Sequence, residues 1–234
     1  DSNPARWKGL LDKLLPAPGK VTKTTHFQAL PYAQLPVFME QLVGQDGMGA
    51  KALLFLILTA ARSGEVRGAT WEEIDLAARV WTIPAERMKA SKAHRVPLSD
   101  AAIALLQEMK ALAQAAGRNS GKAYVFPSPN SRDPELGSAL SDMTLTAVLR
   151  RLKLEAVPHG FRSTFRDWCA EQTDYPNEVA EMALAHTVGN KVEAAYRRGD
   201  LLAKRQQLMQ DWADYALGRR AGNMTVGHSA GGAV

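Results

Sequence analysis

The sequence predicts a mainly helical domain that carries a small three-stranded antiparallel sheet. Residues 50–61 are apolar on every side, as in a helix buried at the centre of a core. Residues 71–98 contain short β-prone runs separated by turn residues, and residues 201–217 repeat apolar side chains at helical spacing. Because helical patterns cover most of the remaining chain, we expect an α+β fold dominated by helices.

The first third of the chain begins with prolines and lysines and then becomes helical. Residues 1–25 have the composition of a basic linker. Pro36 suits the first turn of a helix, and residues 44–49 interrupt that pattern before the apolar helix. Ser63 is expected to cap a short following helix with Glu65 in its first turn.

The predicted sheet is formed by three short runs that are rich in β-branched and aromatic residues. They are Trp71–Ile74, Val80–Ile83 and His94–Leu98. The turn between the second and third runs is strongly basic and contains Arg87, Lys89 and Lys92. A lysine at a hairpin tip is usually only solvated, although it is also well placed to enter a groove.

The second half of the chain is predicted to be helical with a flexible end. Ser99 and Asp100 have the residue types of a helix start. Residues 218–234 are rich in Gly and Ala, which predicts a flexible tail. The expected helices are 99–112, 140–154, one opening at 159, 177–186, 191–196 and 201–217.

Composition limits the class of protein. The 234-residue chain has a formal net charge of +5, which permits a polyanionic partner without requiring one. It contains no apolar run long enough for a membrane span, and its polar opening residues lead us to expect no signal peptide. The single cysteine, Cys169, excludes an internal disulfide, suits a reducing cytoplasm, and lies in a helical pattern that favours a buried structural thiol.

Five residues suggest attack on a phosphodiester. Arg62 follows the apolar helix directly, and His159 and Arg162 lie three positions apart. Tyr196 follows His186 by ten positions. Arginine clamps phosphate oxygens, histidine exchanges protons near neutral pH, and tyrosine can act as a covalent nucleophile.

Each of these residues also has an ordinary structural interpretation. Arg62 could be a surface arginine paired with Glu65, and a histidine three residues before an arginine is common where helices begin. A single tyrosine such as Tyr196 is more often a packed surface residue. The joint occurrence of these five residues and Lys89, in order and in their local contexts, is therefore the informative observation.

Together these motifs resemble the catalytic domain of tyrosine recombinases, the phage-integrase family. The resemblance covers about residues 30–217 and is most like integrases of satellite prophages and genomic islands, in which the runs 184–186 and 195–200 are typical. It implies the catalytic-core fold shared with type IB topoisomerases. Residues 1–25 would then be the linker left after a missing core-binding domain, residues 26–217 the catalytic domain and residues 218–234 a tail.

The resemblance also implies a role for each candidate residue. Arg62 and Arg162 would bind the phosphate, Glu65 would support Arg62, and His159 and His186 would assist as the two histidines of the family. Lys89, with Lys92 as its competitor, would donate a proton to the leaving 5′-oxygen, and Tyr196 would be the nucleophile. The product would be a 3′-phosphotyrosyl protein, which needs neither ATP nor a metal ion.

The implied partner is double-stranded DNA carrying attachment sites, in the bacterial cytoplasm at the nucleoid. We expect a homo-tetramer on DNA, while the free fragment can be a monomer. Contacts to phosphates are expected from clustered basic residues, namely Lys8, Lys13, Lys20, Arg87, Lys92, Arg150 and Arg151. Two alternatives stay open on sequence grounds: DNA relaxation of the type IB topoisomerase kind, and a relative that binds DNA without cutting it.

Overall fold

The computed structural model describes residues 27–186 and 199–219, together with residues 3, 6, 8 and 11–15. In these ranges it is mainly helical with a three-stranded antiparallel sheet, which confirms the predicted fold class. The main helices are α1 (Leu35–Val43), α2 (Met48–Thr59), α3 (Ser63–Arg67), α4 (Asp100–Ala115), α5 (Thr144–Arg151), α6 (Gly160–Gln172), α7 (Asn177–Ala183) and α8 (Leu202–Ala216). A single helical turn, Asp12–Leu14, lies in the predicted linker.

The sheet follows chain order, with β1 (Ile74–Asp75), β2 (Val80–Ile83) and β3 (His94–Pro97). Val80 lies opposite Pro97 and Ile83 lies opposite His94, so β2 and β3 form a hairpin. This agrees with the second and third predicted strands. The basic turn, residues 84–93, is therefore the tip of the hairpin.

The first predicted strand, Trp71–Ile74, is mostly wrong. Trp71–Glu73 forms a 3₁₀-helix, and β1 is only two residues long. The backbone N–H groups of Trp71 and Glu72 donate to the carbonyl groups of Ala123 and Gly121, at 3.1 and 2.7 Å. These bonds to a distant loop replace the ladder bonds of a strand, and periodicity cannot reveal them.

Helix α2 is the centre of the core, as its apolar sequence predicted. Ala52, Leu53, Phe55 and Leu56 have no exposed surface, and α1, α3, α4, α5 and α8 all pack against the helix. Full burial of a leucine or phenylalanine side chain contributes about 1.5–3 kcal/mol each. The indole N–H of Trp212 in α8 donates to the carbonyl of Ile57 at 2.7 Å, which joins the last helix to the central one.

Several helices are shorter than the periodicity indicated. The predicted helix 140–154 is observed as α5, and the predicted helix 177–186 ends at Ala183. Ala185 has a left-handed φ of 50°, which an α-helix cannot accommodate, so the chain turns before His186. The helix predicted at 191–196 and most of the predicted tail lie outside the described residues.

Cys169 is buried on α6, as the sequence predicted, and burial raises the pKa of its thiol to about 12. The protonated thiol is a poor nucleophile at neutral pH. Among the described residues, no helix combines the length and the apolar character needed to cross a bilayer.

Candidate active site

Arg62 lies where the chain leaves the end of the central helix. Ala60 adopts a left-handed φ of 50°, and Arg62 follows in extended conformation immediately before α3. Arg62 Nη1 donates to Glu65 Oε1 at 2.7 Å, and the Arg62 backbone N–H donates to Glu65 Oε2 at 2.8 Å. The predicted capping role of Ser63 is wrong, because Ser63 is itself the first helical residue and the carboxylate of Glu65 caps this end.

The pairing of Arg62 with Glu65 does not make Arg62 an ordinary surface residue. The side chain of Glu65 is only 6% exposed and that of Arg62 only 25%. Arg62 Nη2 also lies 3.5 Å from the carbonyl oxygen of Leu184, far along the chain. Glu65 therefore orients a partly buried guanidinium group toward the end of α7.

Helix α6 begins at Gly160, and only glycine fits there. A Cβ atom at Gly160 would lie 2.1 Å from the carbonyl oxygen of Gln28 and 2.9 Å from Cα of Ala29. The next residue, Phe161, stacks on Phe38 of α1 with ring centroids 5.5 Å apart. The start of α6 is thus fixed against residues 28–29 and α1. This contact positions His159, just before the helix, and Arg162, in its first turn.

Arg162 is almost completely buried, with 4% exposure. Its Nη1 donates to the carbonyl of Ala60 at 2.6 Å, and its Nη2 donates to the carbonyl of Leu184 at 2.5 Å. Burial, followed by the nearby charge of Arg62, lowers the pKa of Arg162 to about 10. The group nevertheless stays charged at neutral pH, so two guanidinium groups lie together at one place.

His186 completes this cluster. Its Nε2 atom lies 3.1 Å from Arg162 Nη2, and its Nδ1 atom lies 2.8 Å from Glu181 Oε2. The side chain of His186 is 40% exposed, so the ring forms part of the surface over the buried arginine. Arg62, Arg162 and His186, which sequence analysis selected separately, thus converge around the carbonyl of Leu184.

His159 lies at the amino-terminal end of α6 and is exposed. Its ring meets the ring of Phe27 edge to face, with centroids 4.6 Å apart. Partial burial, followed by the charges of Arg162, Arg62 and His186, lowers the pKa of His159 below 6.5. The imidazole is therefore neutral at pH 7, the form that can accept a proton.

The two lysines of the hairpin tip differ from Arg87 in their exposure and in their contacts. Lys89 and Lys92 are both exposed, and among the described residues neither ammonium group makes a hydrogen bond or an ion pair. Arg87 is only 24% exposed and pairs with Glu73, while its other terminal nitrogen donates to the carbonyl of Glu65. Nothing in the sequence pattern indicated these contacts of Arg87, and its predicted DNA contact stays a prediction.

Other predicted residues stand apart from the cluster. Arg150 and Arg151 are exposed at the end of α5, and Lys8 and Lys13 are exposed in the linker segment. Tyr196 and Lys20 lie outside the described residues. The described chain does fix both flanks of the segment that contains Tyr196, at His186 and at Asp200.

The flank at Asp200 is held by residues that sequence analysis missed. Arg95 donates to the Asp200 carboxylate through two nitrogens, each at 2.8 Å. Arg205, only 1% exposed, lies 2.8 Å from the same carboxylate and donates to the carbonyl of Arg95 at 2.5 Å. The start of α8 is therefore tied to β3.

His94 was also missed. It is the first residue of β3, next to the arginine cluster, and the backbone of Ala183 interacts with its ring. Burial, followed by the charge of Arg205, lowers its pKa to about 4, so the ring is neutral at pH 7. A lone histidine on a short strand gives no sequence signal that separates it from an exposed one.

Chemically, the cluster suits a phosphate diester. Two guanidinium groups provide planar arrays of N–H donors, and the two carboxylates nearest to them are already hydrogen-bonded. A histidine lies on each side, at His159 and His186, and the pKa of His159 is lowered by partial burial and by the nearby charges. Such a site can bind nonbridging oxygens and stabilise added negative charge in a transition state.

Comparison with known proteins identifies the family. The model of the phage integrase family matches residues 31–201, more than half of the chain. The chain belongs to the phage integrase family. Prophage integrase IntA of Escherichia coli K12 is 36% identical over 199 residues, covering 83% of this chain and 46% of IntA. The integrase of Enterobacteria phage P4 is 33% identical, covering 92% of this chain and 49% of that protein.

Solved structures agree in fold with this integrase-family chain. The integrase of mycobacterium phage Brujita superposes with a TM-score of 0.59 at 16% identity, covering 86% of this chain and 66% of that one. XerA recombinase superposes with a TM-score of 0.52 at 15% identity, covering 89% and 68%. The chain spans about half the length of the curated relatives it matches.

Proposed function

We propose that this chain is the catalytic domain of a site-specific DNA recombinase that integrates or excises a mobile element. The observation that carries this proposal is the convergence of Arg62, Arg162 and His186 around the carbonyl of Leu184. Two guanidinium groups beside a histidine suit a charged phosphodiester, whose transition state concentrates negative charge on nonbridging oxygens. Integrases at 33–36% identity support the same function.

In the proposed reaction, Tyr196 attacks phosphorus and the P–O5′ bond breaks. The phenol loses its proton as the Oη–P bond forms, and the neutral His159 is suited to receive it. Lys89 donates a proton to the leaving 5′-oxygen, with Lys92 as the competing donor. The 3′-phosphotyrosine conserves the bond energy, so a second 5′-hydroxyl can religate the strand.

The proposed substrate is double-stranded DNA with attachment sites, bound by a tetramer during strand exchange. A relative in fold, the Tn1549 transposon integrase, has been solved in complex with circular intermediate DNA. Exposed basic residues of this chain, including Lys92, Arg150 and Arg151, would contact phosphates. A topoisomerase function is less well supported, because the curated relatives are integrases.

The deciding experiment uses attachment-site DNA nicked just 3′ of the cleavage point, so that a short 5′-hydroxyl product diffuses away. We expect an SDS-resistant protein–DNA band from the wild type and none from Tyr196→Phe. Tyr124→Phe is the matched control and should retain the band. A band that survives in Tyr196→Phe would contradict the assignment of the nucleophile.

The adduct assay, together with a relaxation assay on supercoiled DNA, separates the competing functions. Absence of the band in the wild type, with DNA still bound, would favour a DNA-binding relative that does not cut. Relaxation of supercoiled DNA without an attachment site would favour the topoisomerase function.

A further inference from the structure

Glu181 holds a position that the proposed reaction has not used. One carboxylate oxygen accepts from Arg166 Nε at 2.5 Å, and the other lies 2.8 Å from His186 Nδ1. The side chain is only 16% exposed, although it stands beside an exposed histidine. Both oxygens are therefore engaged, and the carboxylate is fixed between α6 and the turn after α7.

The contacts of Glu181 close a chain of four side chains. Arg162 and Arg166 lie one turn apart on α6, and His186 and Glu181 lie at the end of α7. Arg162 meets His186, His186 meets Glu181, and Glu181 meets Arg166. The orientation of His186 is thus set from both sides of its ring.

The two ring contacts of His186 assign a donor role to one ring nitrogen and an acceptor role to the other. Burial disfavours the carboxylate, but the hydrogen bonds from Arg166 and His186 outweigh burial and lower the pKa of Glu181 below its usual value. An ionised carboxylate only accepts, so Nδ1 must carry the proton. A guanidinium group only donates, so Nε2 must present its lone pair to Arg162.

We propose that Glu181 is a positioning residue of strand cleavage, which holds His186 in the Nδ1-protonated tautomer with Nε2 directed at Arg162. The catalytic part of this statement rests on the proposed function, whereas the tautomer is a property of the free protein. Carboxylates placed behind functional histidines act in this way at other sites, where they fix the ring and its tautomer. The ring nitrogen that accepts from Arg162 is then the same in every molecule.

The tautomer is tested in the free protein, without DNA. Nitrogen-15 NMR of the imidazole groups, with His186 assigned by His186→Asn, reports which ring nitrogen carries the proton at pH 7.5. We expect Nδ1–H in the wild type and in Glu181→Gln, whose amide oxygen can still accept. Glu181→Ala should shift the ring toward Nε2–H, and an Nε2–H ring in the wild type would overturn the proposal.

The positioning role is tested by single-turnover cleavage of the nicked site at saturating DNA. Loss of such a supporting contact lowers activity by about 10–100-fold, which we expect for Glu181→Ala with DNA affinity within about twofold. Glu181→Gln should recover most of the rate, and Glu108→Ala, which removes an exposed pair with Lys51, should cleave like the wild type. Wild-type cleavage by Glu181→Ala, or equal loss in Glu181→Gln, would overturn the positioning role.

The two tests keep this inference separate from the proposed function. If the wild type forms no phosphotyrosyl adduct, the proposed function fails, and the NMR experiment still decides whether Glu181 sets the tautomer. If the wild type cleaves and both Glu181 variants cleave as fast as the wild type, only the inference about Glu181 fails.

Discussion

The arginine cluster and the hairpin tip serve one proposed reaction, but the protein holds them in opposite ways. Arg162 is 4% exposed and donates to two backbone carbonyls, so the fold itself fixes its guanidinium group. Lys89 is exposed on a turn between β2 and β3, and its amine has no hydrogen-bond partner among the described residues. The difference indicates that the proposed phosphate-binding groups are preorganised by the fold, whereas no contact among the described residues holds the proposed proton donor in place.

The largest expected effect concerns the proton donor. Lys89→Ala should lower the single-turnover rate of cleavage by ~10²–10⁴-fold, the usual contribution of a general acid. Because the side chain is exposed, the free energy of unfolding should change by no more than about 0.5 kcal/mol. Rates come from the nicked attachment site, and stability comes from urea unfolding.

Lys92→Ala is the matched control on the same turn, and it should cleave nearly as fast as the wild type. A substrate with sulfur in place of the 5′-oxygen should rescue Lys89→Ala, because a thiolate leaves without a proton. If Lys92→Ala shows the large loss and the rescue instead, the general acid is Lys92.

The arginine cluster should respond in both activity and stability. Arg162→Lys keeps the charge but loses the planar fork, and we expect ~10²–10³-fold slower cleavage, as for loss of one transition-state donor. The carbonyl groups of Ala60 and Leu184 lose their short hydrogen bonds from Arg162, which should lower the free energy of unfolding by about 1–3 kcal/mol. Cleavage assays and urea unfolding measure the two effects.

Arg79→Lys is the control for this substitution, because Arg79 pairs with Asp100 on the surface with 38% of its side chain exposed. Its stability should change by at most about 1 kcal/mol, as for other exposed pairs. An Arg162→Lys protein as stable as the wild type would remove the contrast between the cluster and the hairpin tip.

His94 joins the two regions and gives the smallest predicted effect, on stability alone. Burial, the charges of Arg205 and Arg162, and the opposing charge of Glu65 place its pKa at about 4, against 6.5 for a free histidine. Below pH 6.5 the unfolded chain binds a proton at His94, whereas the folded protein does not bind it until the pH approaches 4. The free energy of unfolding therefore decreases as the pH falls through this range. Between pH 7 and pH 5 this histidine alone should remove about 2 kcal/mol of the free energy of unfolding.

His94→Gln should remove this part of the pH dependence, which urea unfolding at pH 7 and pH 5 measures. The end of β3 next to the tip would then be a partly buried, pH-sensitive structure, unlike the exposed tip. An unchanged difference between the two pH values in His94→Gln would show that the histidine is not buried as a neutral ring.

The hydrophobic pattern of the sequence predicted much of the fold. The all-round apolar run predicted α2 because a helix with no polar face is stable only in a core. The β2–β3 hairpin followed from its β-prone runs, whereas Trp71–Glu73 was misassigned because its backbone bonds go to residues 121–123. Long-range backbone pairing leaves no period in the sequence.

Residue types and their order alone identified the candidates for chemistry, namely the arginines, histidines, lysines and tyrosine whose pattern resembles that of the integrase family. The sequence left open whether Arg62 is only a surface residue paired with Glu65. It also did not reveal that Glu181 and His94 lie next to the arginine cluster. Those points depend on the tertiary structure, because Arg62 and Arg162 come from distant parts of the chain and both donate to the carbonyl of Leu184. Burial and hydrogen-bond direction are properties of the packed chain, and they determine which charges are held in place and which nitrogen carries a proton.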